Sequence, residues 1–407
     1  SKALKRSGFF VFGYREYPSL IVGGHAGYQF DVSDSVVRSP TIELDAVLSL
    51  NYQGLTRYFD ASTGSALDRS RSAASHLKEG GTLIHAVPDW KFSPEHEKKI
   101  AERKIHVVKL PIHDMLHELD APLVLQNVIF AAFFWKMFGR ELPLLQTVIA
   151  EQFAKKKHLI EINLKAAEKG YNFIPEGGAV TMTLPPPKDQ WKDHLLITGN
   201  EAIGLGAIHC GVRFYAGYPM TPASSLLGYV AKAQNETGMI VKQAEDEITA
   251  GQIASGAYFM GTRAMTGTSG GGFDLMTETL SMDSMIESPM VFVLGQRPGP
   301  ATGVPTWTAQ GDLFLAVHAG HGEFPRCVMA IADAEDAFHL LADAHNIAEK
   351  YQIPVIFLTD KYIAECLFCP APFETEKTTI DRGWLVTREE ELMSLKAEDR
   401  YRITEDG

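Results

Sequence analysis

Apolar residues in this chain fall mostly in short runs. Each run ends in glycine, proline or hydroxylic residues and is followed by a longer stretch with helical spacing. Phe9-Phe10-Val11-Phe12-Gly13, Ala46-Val47-Leu48-Ser49-Leu50-Asn51, Thr82-Leu83-Ile84-His85-Ala86-Val87 and Ile105-His106-Val107-Val108-Lys109-Leu110 are the runs of the first part. Short continuous apolar runs between helices predict a parallel sheet. Leu123–Phe138 and Glu151–Lys169 carry a helical pattern, so an α/β domain is predicted over residues 1–175. Pro175-Glu176-Gly177-Gly178 and Pro185-Pro186-Pro187-Lys188 break any helix, and no apolar period survives between them. Residues 176–193 read as a linker.

A second parallel α/β domain is predicted over residues 194–372. It opens at His194-Leu195-Leu196-Ile197-Thr198-Gly199-Asn200, with Asn200 placed to cap a helix over Glu201–Cys210. Three apolar runs then lead into marked loops. Val212–Ala216 precedes Tyr218-Pro219-Met220-Thr221-Pro222; Arg263–Thr268 precedes Ser269-Gly270-Gly271-Gly272-Phe273; Met290–Leu294 precedes Gln296-Arg297-Pro298-Gly299-Pro300. Between the first two, Gln243-Ala244-Glu245-Asp246-Glu247 opens a helical stretch. Ala334–Lys350 is amphipathic, and Ile353–Asp360 reads as a closing buried strand. Residues 373–407 are polar and read as an arm, or as the start of a further domain. Ligands of open α/β sheets bind beyond the carboxyl ends of the strands, so the three loops and the acidic helix start are expected around one site.

Composition narrows the function. The 407 residues imply two or three domains, and 45% hydrophobic with 22% charged residues describes a globular protein with a sizeable core. A net charge of −12 argues against nonspecific nucleic-acid binding. No apolar run is long enough to span a bilayer, and the basic start lacks the features of a secretory signal. Four cysteines make no disulfide framework, which fits a reducing cytoplasm. Cys366-Leu367-Phe368-Cys369 has a metal-type spacing but no second ligand pair, and the five histidines from His209 to His345 show no ligand spacing.

Four features carry candidate chemistry. Glu245 stands between the strand Met239–Lys242 and a helix of small residues, where a ligand would approach; Asp246 and Glu247 read as first-turn acids complementing the helix dipole. Arg297 offers a guanidinium fork to a carboxylate, with Thr302 and Thr306 as hydroxyl donors on the loop behind it. The glycines 270–272 have the composition of a phosphate cradle. Ser224 and Ser225 lack a partner histidine, which excludes a serine hydrolase.

Together these motifs resemble the 2-oxoacid:ferredoxin oxidoreductases, in particular the alpha subunit with a fused gamma domain. Tyr218-Pro219-Met220-Thr221-Pro222 is similar to that family's Tyr-Pro-Ile-Thr-Pro motif, Gln243–Glu247 to its glutamate motif and Ala264–Phe273 to its Thr-Ser-Gly-x-Gly loop. Gln296–Thr306 with Gln310-Gly311-Asp312 resembles its substrate-arginine loop, and Glu16-Tyr17-Pro18-Ser19-Leu20 with Gly23-Gly24-His25 resembles the gamma domain. The resemblance implies a thiamine diphosphate fold of pyrimidine-binding type over 194–372. It implies that Glu245 bonds N1′ of the aminopyrimidine and favours the imino tautomer, whose nitrogen takes the proton from thiazolium C2. The carbanion then attacks the keto carbon of a 2-oxoacid and CO₂ leaves. Tyr218, Pro219, Ser269 and Gly270 would line the cofactor, while Thr221, Arg297 and Thr306 would face the substrate. Coenzyme A would take the acyl group and ferredoxin the electrons. A beta subunit would share the thiamine diphosphate and carry Mg²⁺ and the iron–sulfur cluster.

The fused arrangement points to 2-oxoglutarate, whose second carboxylate needs a further partner; Arg263 is a candidate by position, as is a group of the beta subunit. The family pattern also implies a Gly-x-Gly-x-Gly loop ahead of residue 1 and a transketolase C-terminal-like domain beyond residue 407. The competing readings are a non-catalytic assembly subunit of the same fold and an oxidoreductase for pyruvate or branched-chain 2-oxoacids. A dinucleotide-binding dehydrogenase is disfavoured, because no Gly-x-Gly-x-x-Gly follows a strand.

Overall fold

The computed structural model describes residues 1–19, 26–59, 77–396 and 401–405. Leu20 and Gly23-Gly24-His25 of the gamma-type motif lie outside the described residues. The chain forms two compact units, one of Ser1–Gly13 with His25–Leu196 and one of Tyr14–Gly24 with Ile197–Gly407.

The first unit holds most of β1 (Phe10–Glu16), together with β2 (Gly27–Ser33) and a parallel sheet of β3 (Leu44–Ser49), β4 (Leu77–His85) and β5 (His106–Lys109) in that order. Its helices are α1 (Lys2–Arg6), α2 (Tyr52–Phe59), α3 (Pro94–Glu102), α4 (Ile112–Glu118), α5 (Gln126–Met137), α6 (Leu142–Gln152), α7 (Ile160–Asn172) and α8 (Gln190–Asp193). The helix expected over 151–169 is therefore two helices. Between them Lys155, Lys156 and Lys157 are all exposed and supply no apolar side chain to seat a turn on the core. The expected linker is packed rather than free. The Met182 N–H donates to Met137 O at 2.7 Å, Trp191 is buried, and Val180, Met182 and Leu184 close over the unit's core.

The second unit is built on a six-stranded sheet. Its strands are β7 (Phe214–Gly217), β8 (Ile240–Gln243), β9 (Ala264–Ser269), β10 (Met290–Gln296), β11 (Cys327–Ala330) and β12 (Pro354–Asp360), in the order β11-β12-β10-β9-β7-β8 and all parallel. A short antiparallel pair, β6 (Ile197–Thr198) with β13 (Leu367–Phe368), accompanies it. Every residue of β9, β10 and β12 is buried, which is why β10 and β12 are near-continuous apolar runs and β9 has no charged position, carrying only small, apolar and hydroxylic residues. The helices are α9 (Gly199–His209), α10 (Ser224–Thr237), α11 (Glu247–Phe259), α12 (Gly270–Leu275), α13 (Thr277–Met285), α14 (Leu313–His318), α15 (Ala334–Tyr351), α16 (Lys361–Glu365) and α17 (Glu389–Ser394). Alanine and glycine on α11 let it lie close on β7 and β9.

Two expectations are corrected here. The cap of α9 is Thr198, not Asn200. Thr198 Oγ1 accepts from the Glu201 N–H while the Glu201 carboxyl accepts from the Thr198 N–H, a reciprocal pair that a buried Asn200 cannot replace. Asn200 instead donates to Pro222 O at 2.8 Å and to Ser225 Oγ at 2.7 Å. The second correction concerns Arg263, which stands at the amino end of β9, opposite the loops. Its guanidinium donates to Glu349 Oε2 at 2.9 and 2.7 Å, to Cys210 O at 2.7 Å, and to Asn346 Oδ1 and Asp381 O at 2.8 Å. Its charge is paired with Glu349 at the end of the sheet away from the loops, so it does not serve a substrate carboxylate there. Arg382 donates to the other Glu349 oxygen at 2.7 Å, so the start of the polar C-terminal arm is clamped to the sheet's amino end.

Asp283 on α13 is fully buried and accepts a short hydrogen bond from Ser255 Oγ on α11; its second oxygen has no partner. Burial pushes its carboxyl up from 3.8 to about 7, with the Ser255 bond opposing. The native state then keeps a proton that the unfolded chain releases, so this group's contribution to stability falls as pH rises from 3.8 to about 7. Asp283→Asn is expected to remove that decline. Its unfolding free energy should gain on the wild type between about pH 4 and about pH 8, by at most ~4 kcal/mol. Parallel pH–stability curves would refute the assignment.

Candidate functional site

The parallel register lines up the carboxyl ends: Gly217 beside Gln243, Gly295 beside Ser269, and Gln296 beside Asp360. The three marked loops and the start of α11 therefore leave the sheet along one rim, as the crossover rule for such sheets requires.

Arg297 follows β10 and is 5% exposed. Its Nη1 donates to Thr221 O at 2.7 Å and its Nη2 to Thr302 Oγ1 at 3.4 Å. It forms no ion pair among the described residues. Burial pushes its guanidinium down from the ordinary value, while Asp312 and Glu247 pull it up. The Thr221 contact is through its carbonyl, at the cis Thr221–Pro222 bond.

The acidic motif divides into three roles. Asp246 caps α11, accepting from the Thr249 N–H at 2.8 Å. Glu245, the residue expected to bind cofactor, has an exposed side chain. Glu247 is 4% exposed, and its Oε1 has no hydrogen-bond partner. An unpaired buried polar oxygen is costly, and native structures retain one where a ligand completes it or water reaches it. The helix period accounts for the burial of Glu247. Glu247 shares the inward face of α11 with Ala250, Gly251, Ala254 and Tyr258, while Glu245 precedes the cap. Periodicity was thus the signal that could have singled out Glu247.

The glycine loop makes room for it. A Cβ on Gly272 would lie 2.0 Å from Thr268 Oγ1 and 2.7 Å from Glu247 Cγ. A Cβ on Gly270 would lie 2.7 Å from Asp312 Oδ2, an oxygen that is also buried without a partner. Burial and nearby Asp274 push Asp312 up, and Arg297 pulls it down. The sequence placed Asp312 only within the stretch that resembles the substrate-arginine loop, with no role of its own.

The remaining expected residues separate. Tyr218 and Pro219 are exposed where β7 ends. Ser269 turns inward and donates to Met220 Sδ at 2.7 Å, so it holds the Tyr218–Pro222 loop. Thr306 is engaged elsewhere. Its hydroxyl donates to Tyr17 O at 2.7 Å and stands 2.8 Å from Ser19 Oγ. Both cysteines of the Cys-x-x-Cys pair are buried free thiols, and burial pushes Cys366 up to about 12. Among the described residues no cluster of His, Cys, Asp and Glu could hold a metal.

Residues 205–392 match the family model described as pyruvate flavodoxin/ferredoxin oxidoreductase, thiamine diP-bdg, and residues 1–173 match that for pyruvate ferredoxin/flavodoxin oxidoreductase. The alpha subunit of a Sulfolobus sp 2-oxoacid:ferredoxin oxidoreductase is 32% identical over 440 residues, covering 100% of this chain and 68% of the relative. The chain belongs to the 2-oxoacid:ferredoxin oxidoreductases. Within that family, the 2-oxoglutarate synthase subunit KorA of Archaeoglobus fulgidus is 42% identical over 168 residues, covering 41% of this chain and 49% of the relative. A solved 2-oxoglutarate:ferredoxin oxidoreductase from Magnetococcus marinus, with 2-oxoglutarate, coenzyme A and succinyl-CoA bound, superposes with a TM-score of 0.79 at 30% identity. That match covers 95% of this chain and 64% of the solved one, so the chain spans about two thirds of the length of these larger relatives.

The tight fit predicts unequal glycines. Gly272→Ala is expected to destabilise the chain by about 1–3 kcal/mol through overpacking. Gly271→Ala, where a Cβ meets nothing within 4 Å, should stay within about 0.5 kcal/mol of the parent. Denaturant titration reads both, and equal losses would contradict the packing described.

Proposed function

We propose that this subunit, together with a beta subunit, oxidatively decarboxylates a 2-oxoacid to an acyl-CoA and CO₂, passing electrons to ferredoxin, and that the 2-oxoacid is 2-oxoglutarate. The observation that carries the reading is the orphaned Glu247 Oε1 beside a glycine loop with no side chains to fill the space, and Arg297 within electrostatic reach of it. This donor set fits the aminopyrimidine end of thiamine diphosphate. When bound, thiamine diphosphate supplies the electron sink for decarboxylation. Glu247, rather than Glu245, would hold the proton at N1′. Its burial keeps bulk water from competing for that proton. Arg297, already steadied by Thr221 O and Thr302, would turn its free donors to the substrate carboxylate. Gly270 would bring the loop's backbone to the cofactor with Asp312 packed against it, and Tyr218 and Pro219 would edge the site.

The Mg²⁺–diphosphate half, the iron–sulfur cluster and the group for the second carboxylate of 2-oxoglutarate fall to the beta subunit in this reading, since Arg263 faces away. The names of the relatives favour 2-oxoglutarate over pyruvate and branched-chain acids. Among the described residues no single helix is long and apolar enough to cross a membrane. The four free thiols fit a reducing cytoplasm.

Reconstitution with the beta subunit tests the assignment. Glu247→Gln is expected to lower kcat for 2-oxoacid-dependent viologen reduction by roughly 10²–10⁴-fold, and Glu245→Gln by less than about threefold. The Glu247→Gln chain alone should melt no lower than the wild type, because a neutral amide replaces a buried oxygen without a partner. The reverse ranking would return the role to Glu245. If neither change slows turnover, the non-catalytic reading gains. Arg297→Lys should raise KM for the 2-oxoacid about tenfold, through loss of the fork, and leave thiamine diphosphate affinity nearly unchanged. A substrate panel with higher kcat/KM for pyruvate or 2-oxoisovalerate would overturn the choice of substrate alone.

A further inference from the structure

Lys361 is the first residue of α16, one past Asp360, which stands opposite Gln296 at the site's rim. It is 0% exposed. Its Nζ donates to Arg15 O, lies 5.0 Å from the ring centroids of both Tyr14 and Tyr17, and is 3.7 Å from Glu365 Oε2. Tyr17 Oη donates to Glu365 Oε1 at 2.7 Å. Residues 14–19 belong to the same compact unit as the sheet, and this cage is among the contacts that hold them there. Others are Tyr14 against Tyr362, ring centroids 5.2 Å apart, and Thr306, bonded through its hydroxyl to Tyr17 O and through its N–H to Ser19 Oγ at 3.2 Å.

Burying an ammonium is expensive, and an apolar side chain of similar volume usually serves stability as well or better. Burial indeed pushes Lys361 down from its ordinary value, with Glu365 opposing. What the cation does that an apolar side chain cannot is fix a backbone carbonyl and two ring faces at once. The segment it fixes borders the arginine loop. That loop has no regular structure between β10 and α14 and is pinned side chain by side chain. Arg297 meets Thr302, Thr306 meets Tyr17 and Ser19, Thr308 Oγ1 accepts from the Tyr362 N–H at 3.3 Å, and Gln310 donates to Asp360 at 2.6 Å.

We propose that Lys361 is a positioning residue: by caging Tyr14 and Tyr17 it holds the 14–19 segment as a fixed wall, against which Thr306 braces the loop that carries Arg297 and Thr302. The consequence for turnover rests on the functional reading above; the anchoring itself does not.

The test uses the complex with the beta subunit. Lys361→Met and Thr306→Val are expected to raise KM for 2-oxoglutarate about tenfold or more while kcat changes less than about threefold, because loop placement rather than the reacting groups is disturbed. Thr306→Ser, which keeps the hydroxyl, should restore KM. Hydrogen–deuterium exchange of a peptide spanning residues 14–19 should rise in Lys361→Met and Thr306→Val and return to the wild-type level in Thr306→Ser. Unchanged exchange in Lys361→Met overturns the anchoring. If Lys361→Met fails to fold, Tyr17→Phe, which removes only the Glu365 bond, takes its place with the same two readouts. Raised exchange with unchanged KM overturns the positioning role. A wild-type complex without 2-oxoacid turnover refutes the functional reading, and the exchange result still decides whether Lys361 holds the segment.

Discussion

A parallel sheet buried on both faces leaves its loops as the only places for chemistry. In the second unit this constraint is severe, because β9, β10 and β12 expose no residue at all. Side chains on those strands are committed to the core. Whatever binds must meet residues that begin where the strands end, and all the strands run the same way. The close grouping of Glu247, Arg297, Asp312 and the glycine loop follows from that single fact. It also explains why the site depends on absent atoms as much as on present ones. Glu247 keeps its inward position only because Gly272 has no Cβ.

The two ends of the sheet use charge in opposite ways. At the amino end Arg263, Glu349 and Arg382 pair completely, and the start of the C-terminal arm closes over them. Breaking such a set would leave a buried charge without a partner and be strongly destabilising. At the carboxyl end Glu247 and Asp312 each keep a buried oxygen without a partner, and Arg297, within electrostatic reach of both, forms no ion pair among the described residues. Incomplete pairing of this kind lowers stability and is retained where a ligand supplies the missing contact.

Much of this was legible in the sequence. Continuous apolar runs separated by helical stretches determined a parallel α/β chain, because a strand covered on both faces has no polar side to show. The marked loops after β7, β9 and β10, and Arg297 at the head of one of them, followed from strand direction alone. Family motifs reached the same loops independently. Local signals failed where two answers differ by a residue or two. Thr198 and Asn200 are both good caps, and only the reciprocal bond with Glu201 separates them.

The tertiary structure decided which of these side chains are buried, which are exposed and what each one meets. Glu245 and Glu247 are alike in chemistry and nearly adjacent, yet Glu247 opens α11 on its buried face while Glu245 precedes the cap and is exposed. Arg263 and Arg297 both flank buried strands, but one precedes its strand and the other follows, and strand length then places them at opposite ends of the sheet. Ser269 and Thr306 have the hydroxyls a ligand would want, and each gives its hydrogen bond to another loop. Composition and spacing specify the layers and the rim. The facing of individual residues depends on contacts between segments far apart in the chain, which no local pattern encodes.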